Sequence, residues 1–425
     1  MKVLLISTSD IQGGAARAVF RLNRALNKLK VDSNMLVQSK TGDDVTVKSV
    51  AETKIQKVVA KIRPYYDLLP LKLYKNRQKA LFSVARTGVD ICKNKYAKEA
   101  DLINLHWING WFLSLKSIKK LNHLNKPIVW TLHDMWPFTG GCHYSGGCTK
   151  YKEKCGQCPI LNSSKDRDLT RRIWEKKNKY YKNLNLTIVT CSTWLAQCAQ
   201  NSSLFHDLRI EVIPNSVDIN IYKPIKKEIA RDILNLPQHK YSILFGAMSA
   251  TSDKRKGFDY LNRALNKIKA TYPELKDKIE LIIFGASYSE DIDNLSFKTH
   301  FLGRLNDEHS LALCYSAADI FITPSLEDNL PNTIMESLSC GTPVVGFKIG
   351  GIPDMIEHKH NGYLAEYKSV DDLAQGICWM LENTSRLIDL GQNARQKVLD
   401  NYNYDTVGNK YLKLYKELLN EDQYK

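Results

Sequence analysis

The chain has no run of apolar residues near the roughly 18 that a membrane-spanning helix needs. Its opening stretch, residues 1–10, carries one lysine and a short apolar run before turning polar at Ser7. That pattern predicts a first β-strand, not an export signal. Acidic residues are in short supply: 45 Asp and Glu against 61 Lys and Arg leave a formal charge of +16. A basic surface attracts polyanions, of which nucleic acid, anionic lipid and a phosphorylated substrate are the three classes to weigh. No zinc-finger, homeodomain or RNA-recognition signature is present, so nucleic acid is not an expected partner. Ten cysteines without an export signal point to thiols or metal ligands more than disulfides, and to a cytoplasmic location.

At 425 residues the chain exceeds one ordinary core, so two domains are expected. With 43% hydrophobic and 25% charged residues it has the composition of a soluble globular protein. Short β-rich runs at 3–6, 33–37, 102–105, 128–132 and 187–191 alternate with helical stretches such as 15–30. A second series follows Pro214-Asn215-Ser216, with strands at 242–245, 280–284, 320–323 and 343–347 and helices near 258–269, 308–317 and 333–339. This alternation predicts two doubly wound α/β domains, residues 1–215 and 216–400, with a linker around 214–225. Ligands in such sheets bind at the carboxyl ends of the strands, and two units side by side would face each other across a cleft.

Residues 54–79 break the pattern. Lys54, Lys57, Lys61, Arg63, Lys72, Lys75, Arg77 and Lys79 stand against Asp67 alone. Ile55, Val58, Val59 and Ile62 fall at helical spacing among them, and Tyr65, Tyr66, Leu68 and Leu69 follow. Two readings stay open: a helix lying on an anionic membrane, or a surface helix whose apolar side packs on its own domain.

The most informative stretch is 323–345. A strand ends at Pro324, a polar loop follows, and a helix begins near Asn332. Asp328 lies in the loop and Glu336 inside the helix, with the peptide groups of Asn332 and Thr333 between them. Amides at a helix start suit a phosphate, and carboxylates on either side suit sugar hydroxyls. Such a strip fits a sugar, a diphosphate and a ribose in line.

These residues resemble the retaining nucleotide-sugar glycosyltransferases of family four, which have the GT-B fold. Their signature is two acids separated by seven residues, then Cys-Gly-Thr-Pro-Val-Val or similar. Asp328, Glu336 and the stretch from Cys340 to Val345 match it, with Asp where most members have Glu. The resemblance implies that Glu336 holds ribose hydroxyls and Asp328 the transferred sugar. It extends to Gly246 and to Lys256-Gly257, where the lysine balances charge on the departing diphosphate. The arginine usual after Gly246 is missing: Met248 to Thr251 stand there, leaving Arg255 or the hydroxyls of Ser249 and Thr251 as substitutes. In the first domain, Gly13, Gly14 and Arg17 occupy the loop that faces the donor diphosphate and acceptor. His133 matches the histidine near the reacting sugar, and His106 ends a neighbouring strand. The resemblance also implies a same-face displacement without a metal or other cofactor, with the helix at 402–419 crossing back onto the first domain.

The run from Thr131 through Cys142 is shared with the bacterial polysaccharide-assembly members. The expected reaction is therefore transfer from a UDP- or GDP-sugar to a lipid-linked or oligosaccharide acceptor, by a protein held at the inner face of the membrane or free of it. A nucleotide-sugar 2-epimerase and a non-catalytic scaffold of a polysaccharide assembly complex are the alternatives. Cys142, Cys148, Cys155 and Cys158 lie within one polar, glycine-rich stretch at 138–159 and close with Cys-x-x-Cys. One tetrahedral structural zinc, disulfides or free thiols would each fit; four thiolates would leave no open catalytic position.

Overall fold

The computed structural model describes residues 1–51, 53–246, 253–285, 295–305 and 307–422. It divides into two compact units, Met1–Pro214 with Val407–Lys425, and Asn215–Thr406.

The first unit is built on β1 (Lys2–Ser9), β2 (Asp32–Ser39), β3 (Val47–Ser49), β4 (Leu102–Leu105), β5 (Ile128–Leu132), β6 (Leu186–Thr190) and β7 (Ile210–Val212). They form one sheet in the order β3-β2-β1-β4-β5-β6-β7, every pairing parallel. Parallel strands are covered on both faces, which is why β4, β5 and β6 are buried along their whole length. One face packs Val3, Leu5, Leu102 and Val129 against Val19, Leu22 and Leu26 of the helix Gly14–Lys28. The same layer holds Val407, Tyr411, Leu414, Tyr415 and Leu418 of the final helix, Tyr404–Asp422. Tyr415 accepts a hydrogen bond from the Asn104 amide at 2.7 Å, so this helix is tied to the sheet by polar contacts as well.

The second unit carries β8 (Tyr241–Gly246), β9 (Ile279–Phe284), β10 (Thr299–Phe301), β11 (Ile320–Thr323), β12 (Val344–Phe347) and β13 (Gly362–Ala365). Their order is β10-β9-β8-β11-β12-β13, again all parallel. In each sheet the winding direction reverses beside the first strand of the unit, between β1 and β4 and between β8 and β11. Those two gaps are where an open α/β sheet leaves room for a ligand at its carboxyl edge.

The basic segment forms a helix, Lys54–Leu68, opened by a reciprocal cap between Thr53 and Gln56, and then a 3-10 turn, Leu69–Leu73. Val58, Val59, Ile62, Tyr65, Tyr66 and Leu73 are exposed, Tyr65 at 75% and Leu73 at 84%, so these side chains do not pack on the unit that carries them. Asp67 is the exception. It is buried and accepts the amides of Ala85, Arg86 and Thr87, which anchors the helix end.

The cysteine stretch, polar and glycine-rich in sequence, is nonetheless anchored by apolar side chains: Phe138, Tyr151 and Cys158, with Ile160 and Leu161 just after it, are buried in the main core of the first unit. No described helix is long and apolar enough to cross a membrane.

Candidate functional site

In the second unit the site is assembled around the β8–β11 gap. Gly257 has φ +72, and a Cβ there would lie 1.8 Å from the carbonyl oxygen of Pro324. Only glycine lets the 3-10 turn Lys254–Lys256 sit against the loop after β11, and the Leu326 amide donates to the Arg255 carbonyl at 2.7 Å. That approach places the Lys256 ammonium 2.7 Å from an Asp328 carboxylate oxygen. Asp328 is buried, its other oxygen accepts the Asn329 amide, and its carbonyl lies so close to Gly350 that a Cβ would come within 2.0 Å. Both acid and base are therefore fixed by backbone packing.

The helix Asn332–Ser339 starts three residues after Asn329, behind Pro331, and stops before Gly341 at φ +75. Ile334, Met335 and Leu338 bury its inner face. Glu336 is also buried, where it accepts the Tyr315 hydroxyl at 3.2 Å. Asn332 accepts from the Asn215 side chain at 3.2 Å, and the Ile334 amide closes on the Pro331 carbonyl. The first-turn amides of Asn332 and Thr333 lie beyond the reach of any carbonyl four residues back within the helix. Asp328 and Lys256 thus meet beyond the carboxyl end of β11, and Asn332, Thr333 and Glu336 lie on the helix that follows.

Gly246 ends β8, where a Cβ would meet the Phe284 ring at 2.3 Å, so this glycine makes room for an aromatic packed on Tyr315. Arg255 turns back on Asp253 at 2.7 Å. Met248 to Thr251, including the Ser249 and Thr251 hydroxyls, lie outside the described residues.

In the first unit, Gly13 has φ +98 and opens the helix after β1, with Gly14 as the first helical residue and the Arg17 amide bonded to the Gly13 carbonyl. The buried carboxylate of Asp10 ties this loop down by accepting the amides of Thr41 and Gly42. Beside it, His106 follows β4 and His133 follows β5. Their rings stack 5.4 Å apart, with His106 Nδ1 3.1 Å from His133 Nε2. The other nitrogen of His133 faces the Cys191 thiol at 3.9 Å. Both nitrogens of His133 therefore meet protein groups, and the sequence-based position against a sugar requires the ring to turn. Burial pushes the His133 pKa down to about 4 against the opposing pull of Asp134, and burial followed by the His133 charge pushes His106 well below its usual range. The pair is neutral near pH 7.

Sequence reasoning passed over the group that supports this pair. Asp134 accepts the Trp107 indole N–H at 2.9 Å, the Trp136 amide at 2.9 Å and the His143 ring at 2.7 Å, and His143 continues to the Ser83 hydroxyl at 2.8 Å. Burial raises the Asp134 carboxyl, but the His143 charge and these bonds outweigh it and leave it below the ordinary carboxylate range. Aspartate directly after His133 was the available signal. Two Asp-x-Asp triplets were also passed over. In the first, Asp168 is buried and caps the helix Leu169–Tyr181, while Asp166 pairs with Arg171. The second, Asp291 to Asp293, lies outside the described residues.

Cys142, Cys148, Cys155 and Cys158 all line one pocket, which Gly140, Tyr151 and Thr170 complete. In the side-chain positions described, no three His, Cys, Asp or Glu groups among the described residues meet as a metal site.

Comparison with known proteins follows this division of the chain. The model of Glycosyltransferase Family 4 matches residues 12–221, and that of Glycosyl transferases group 1 matches residues 226–397. Among curated relatives, a D-inositol 3-phosphate glycosyltransferase of Catenulispora acidiphila is 27% identical over 44% of this chain and 45% of its own. The putative colanic acid biosynthesis glycosyl transferase WcaC of Escherichia coli is 26% identical over 64% of this chain and 66% of its own. The chain spans about half the length of the first curated relatives it matches. Among solved structures, the sucrose-phosphate synthase of Thermosynechococcus elongatus covers 99% of both chains at a TM-score of 0.68 and 19% identity. Anabaena HepE in complex with UDP-glucose covers 98% of this chain and 100% of its own at 0.64 and 18%. These two likenesses are of fold.

Proposed function

The chain belongs to the glycosyltransferases of group 1 and family 4, with the GT-B fold, and from that premise we propose that it moves a sugar, with retention, from a UDP- or GDP-sugar to a lipid-linked or oligosaccharide acceptor in polysaccharide assembly. The observation that carries this reading is the Lys256–Asp328 pair at 2.7 Å, followed along the chain by the helix that opens at Asn332 and carries buried Glu336. Lys256 offsets negative charge on the departing diphosphate. The amides of Asn332 and Thr333 and the dipole of their helix receive its oxygens. Glu336 accepts ribose hydroxyls, and Asp328 accepts from the transferred sugar.

Retention follows if the acceptor oxygen attacks the anomeric carbon on the face the diphosphate leaves. The bond from carbon to diphosphate oxygen breaks, the bond to the acceptor forms, and the acceptor proton passes to the leaving phosphate. The protein needs no nucleophile for this, and no metal. Gly13 and Gly14 allow a ligand close to their backbone, Arg17 adds a cation one turn into the helix, and the neutral His133, once its ring turns, serves as a hydrogen-bonding contact to a sugar. The relative named for colanic acid biosynthesis supports polysaccharide assembly as the setting. The exposed tyrosines and aliphatics of the basic helix favour attachment to an anionic membrane, where a lipid-linked acceptor would lie.

Consumption of UDP- and GDP-sugars, measured with and without lipid-linked saccharide, tests the reading. Transfer requires both substrates, an epimerase needs only the donor, and a scaffold turns over neither. Asp328→Ala is expected to lower transfer by about a hundredfold or more, as for loss of a positioned transition-state contact. Wild-type turnover in that variant would remove the assigned role. Sedimentation with anionic vesicles, reversed by salt, tests the membrane contact.

A further inference from the structure

We propose that Cys142, Cys148, Cys155 and Cys158 hold one structural zinc ion in the first unit, away from any catalytic step. Four sulfurs separated by five, six and two residues border the same pocket, under a wall of Gly140, Tyr151 and Thr170. Drawing them onto one ion requires rotation about Cα–Cβ bonds, because no three of them converge in the positions described.

Three features of the surroundings suit a bound ion. The first is the backbone. Cys155, Gly156 and Gln157 take φ values of +53, +103 and +43 in succession, an unusual positive-φ run within the Cys-x-x-Cys turn. A Cβ on Gly156 would lie 2.2 Å from the Asp166 carbonyl, so the turn is also held from outside. Non-glycine residues in this region are strained and persist only where something else holds them.

The second is the direction of the peptide groups. The Gly140 amide donates to the Cys155 sulfur, and the Ile160 and Leu161 amides donate to Cys158. A neutral thiol is a weak acceptor. A metal-bound thiolate is a charged one, and such outer bonds orient ligands and moderate their charge.

The third is a cation. Lys177 is fully buried in the helix Leu169–Tyr181. Its ammonium donates to the carbonyls of Trp136 and Thr139 and lies 3.6 Å from the centroid of the Trp136 ring, all neutral partners. It is also within electrostatic reach of Cys142 and Cys155, as well as Asp134. A buried lysine keeps the ammonium form only with negative charge nearby. Four thiolates around Zn²⁺ carry a net charge of −2, which this lysine partly offsets.

Zinc fits the donor set better than the alternatives: four soft sulfurs, tetrahedral demand and no redox chemistry. The ion would lock the 138–159 stretch, including His143, whose ring reaches Asp134 beside His133.

The test uses the full chain purified under reducing conditions and exchanged against a mild chelator. Elemental analysis is expected to find one zinc per chain, released when an organomercurial blocks the thiols. Cys158→Ser and Cys148→Ser are expected to bring the content below a tenth of an equivalent, whereas Cys92→Ser, outside the stretch, retains it. Because the wild-type metal content needs no variant to fold, misfolding of a Ser variant does not decide the matter. Zinc-free protein with all four thiols of this stretch titratable, or with two disulfides by mass, would overturn the assignment, and so would full zinc in the Cys155→Ser, Cys158→Ser double variant.

Discussion

The two stacked histidines make the fold sensitive to acid. In an unfolded chain a histidine titrates near 6.5, whereas burial holds His133 at about 4 and His106 well below its usual range. Between those values the unfolded chain takes up protons that the folded rings refuse. Stability is therefore complete above about pH 6.5 and falls as pH drops through the window toward 4, by about 1.4 kcal/mol per pH unit for each ring. Thermal melts of the first unit between pH 7 and 5 should show this slope, and His106→Gln should shallow it; identical slopes in both proteins would mean that other groups carry the acid response. His106 and His133 were legible as strand-end residues in the sequence. Their mutual contact and the Asp134–His143–Ser83 chain were not, because pairing between residues 27 and 60 positions apart is set by strand order. Asp328 and Glu336 were legible, since both lie in one short loop and helix. The 2.7 Å approach of Lys256 to Asp328 depends on a fold 72 residues long.

At the scale of elements, that approach rests on one glycine. A methyl group at Gly257 would collide with the Pro324 carbonyl at 1.8 Å and would sit on a backbone with φ +72, so the turn Lys254–Lys256 must move away from the loop after β11. Gly257→Ala is expected to destabilise the second unit by about 1–3 kcal/mol and to cost more in transfer than in stability, because Lys256 loses its place. Denaturant unfolding alongside kinetics would check this; a variant equally stable and equally active would show that the turn has slack. The central strands announce themselves by apolar runs buried on both faces. The four that sequence reasoning passed over, β3, β7, β10 and β13, are the edges of their sheets and three or four residues long. An edge strand that brief takes its conformation from its neighbour, and its residues need not alternate or cluster.

At the scale of the whole molecule, the chain leaves its first unit at Pro214 and comes back to it at Val407. The return is not an appendage. Val407, Tyr411, Leu414, Tyr415 and Leu418 are buried in the same layer as Val3, Leu5 and Val19, and the hydroxyls of Tyr411 and Tyr415 meet Thr131 and Asn104 beneath the sheet. Five such side chains contribute on the order of 8–15 kcal/mol of burial, comparable to the entire stability of an ordinary domain. A chain ending at Thr406 should therefore lose the fold of the first unit while the second, whose sheet and core are complete without it, still melts cooperatively. Tyr415→Phe is the graded version. It keeps the ring and removes one buried hydrogen bond, leaving the Asn104 amide short of a partner at a cost of about 1–3 kcal/mol. Limited proteolysis of the truncated chain, read fragment by fragment, separates the two units. If residues 1–214 resist cleavage as they do in the full chain, the last helix decorates the first unit without holding it together.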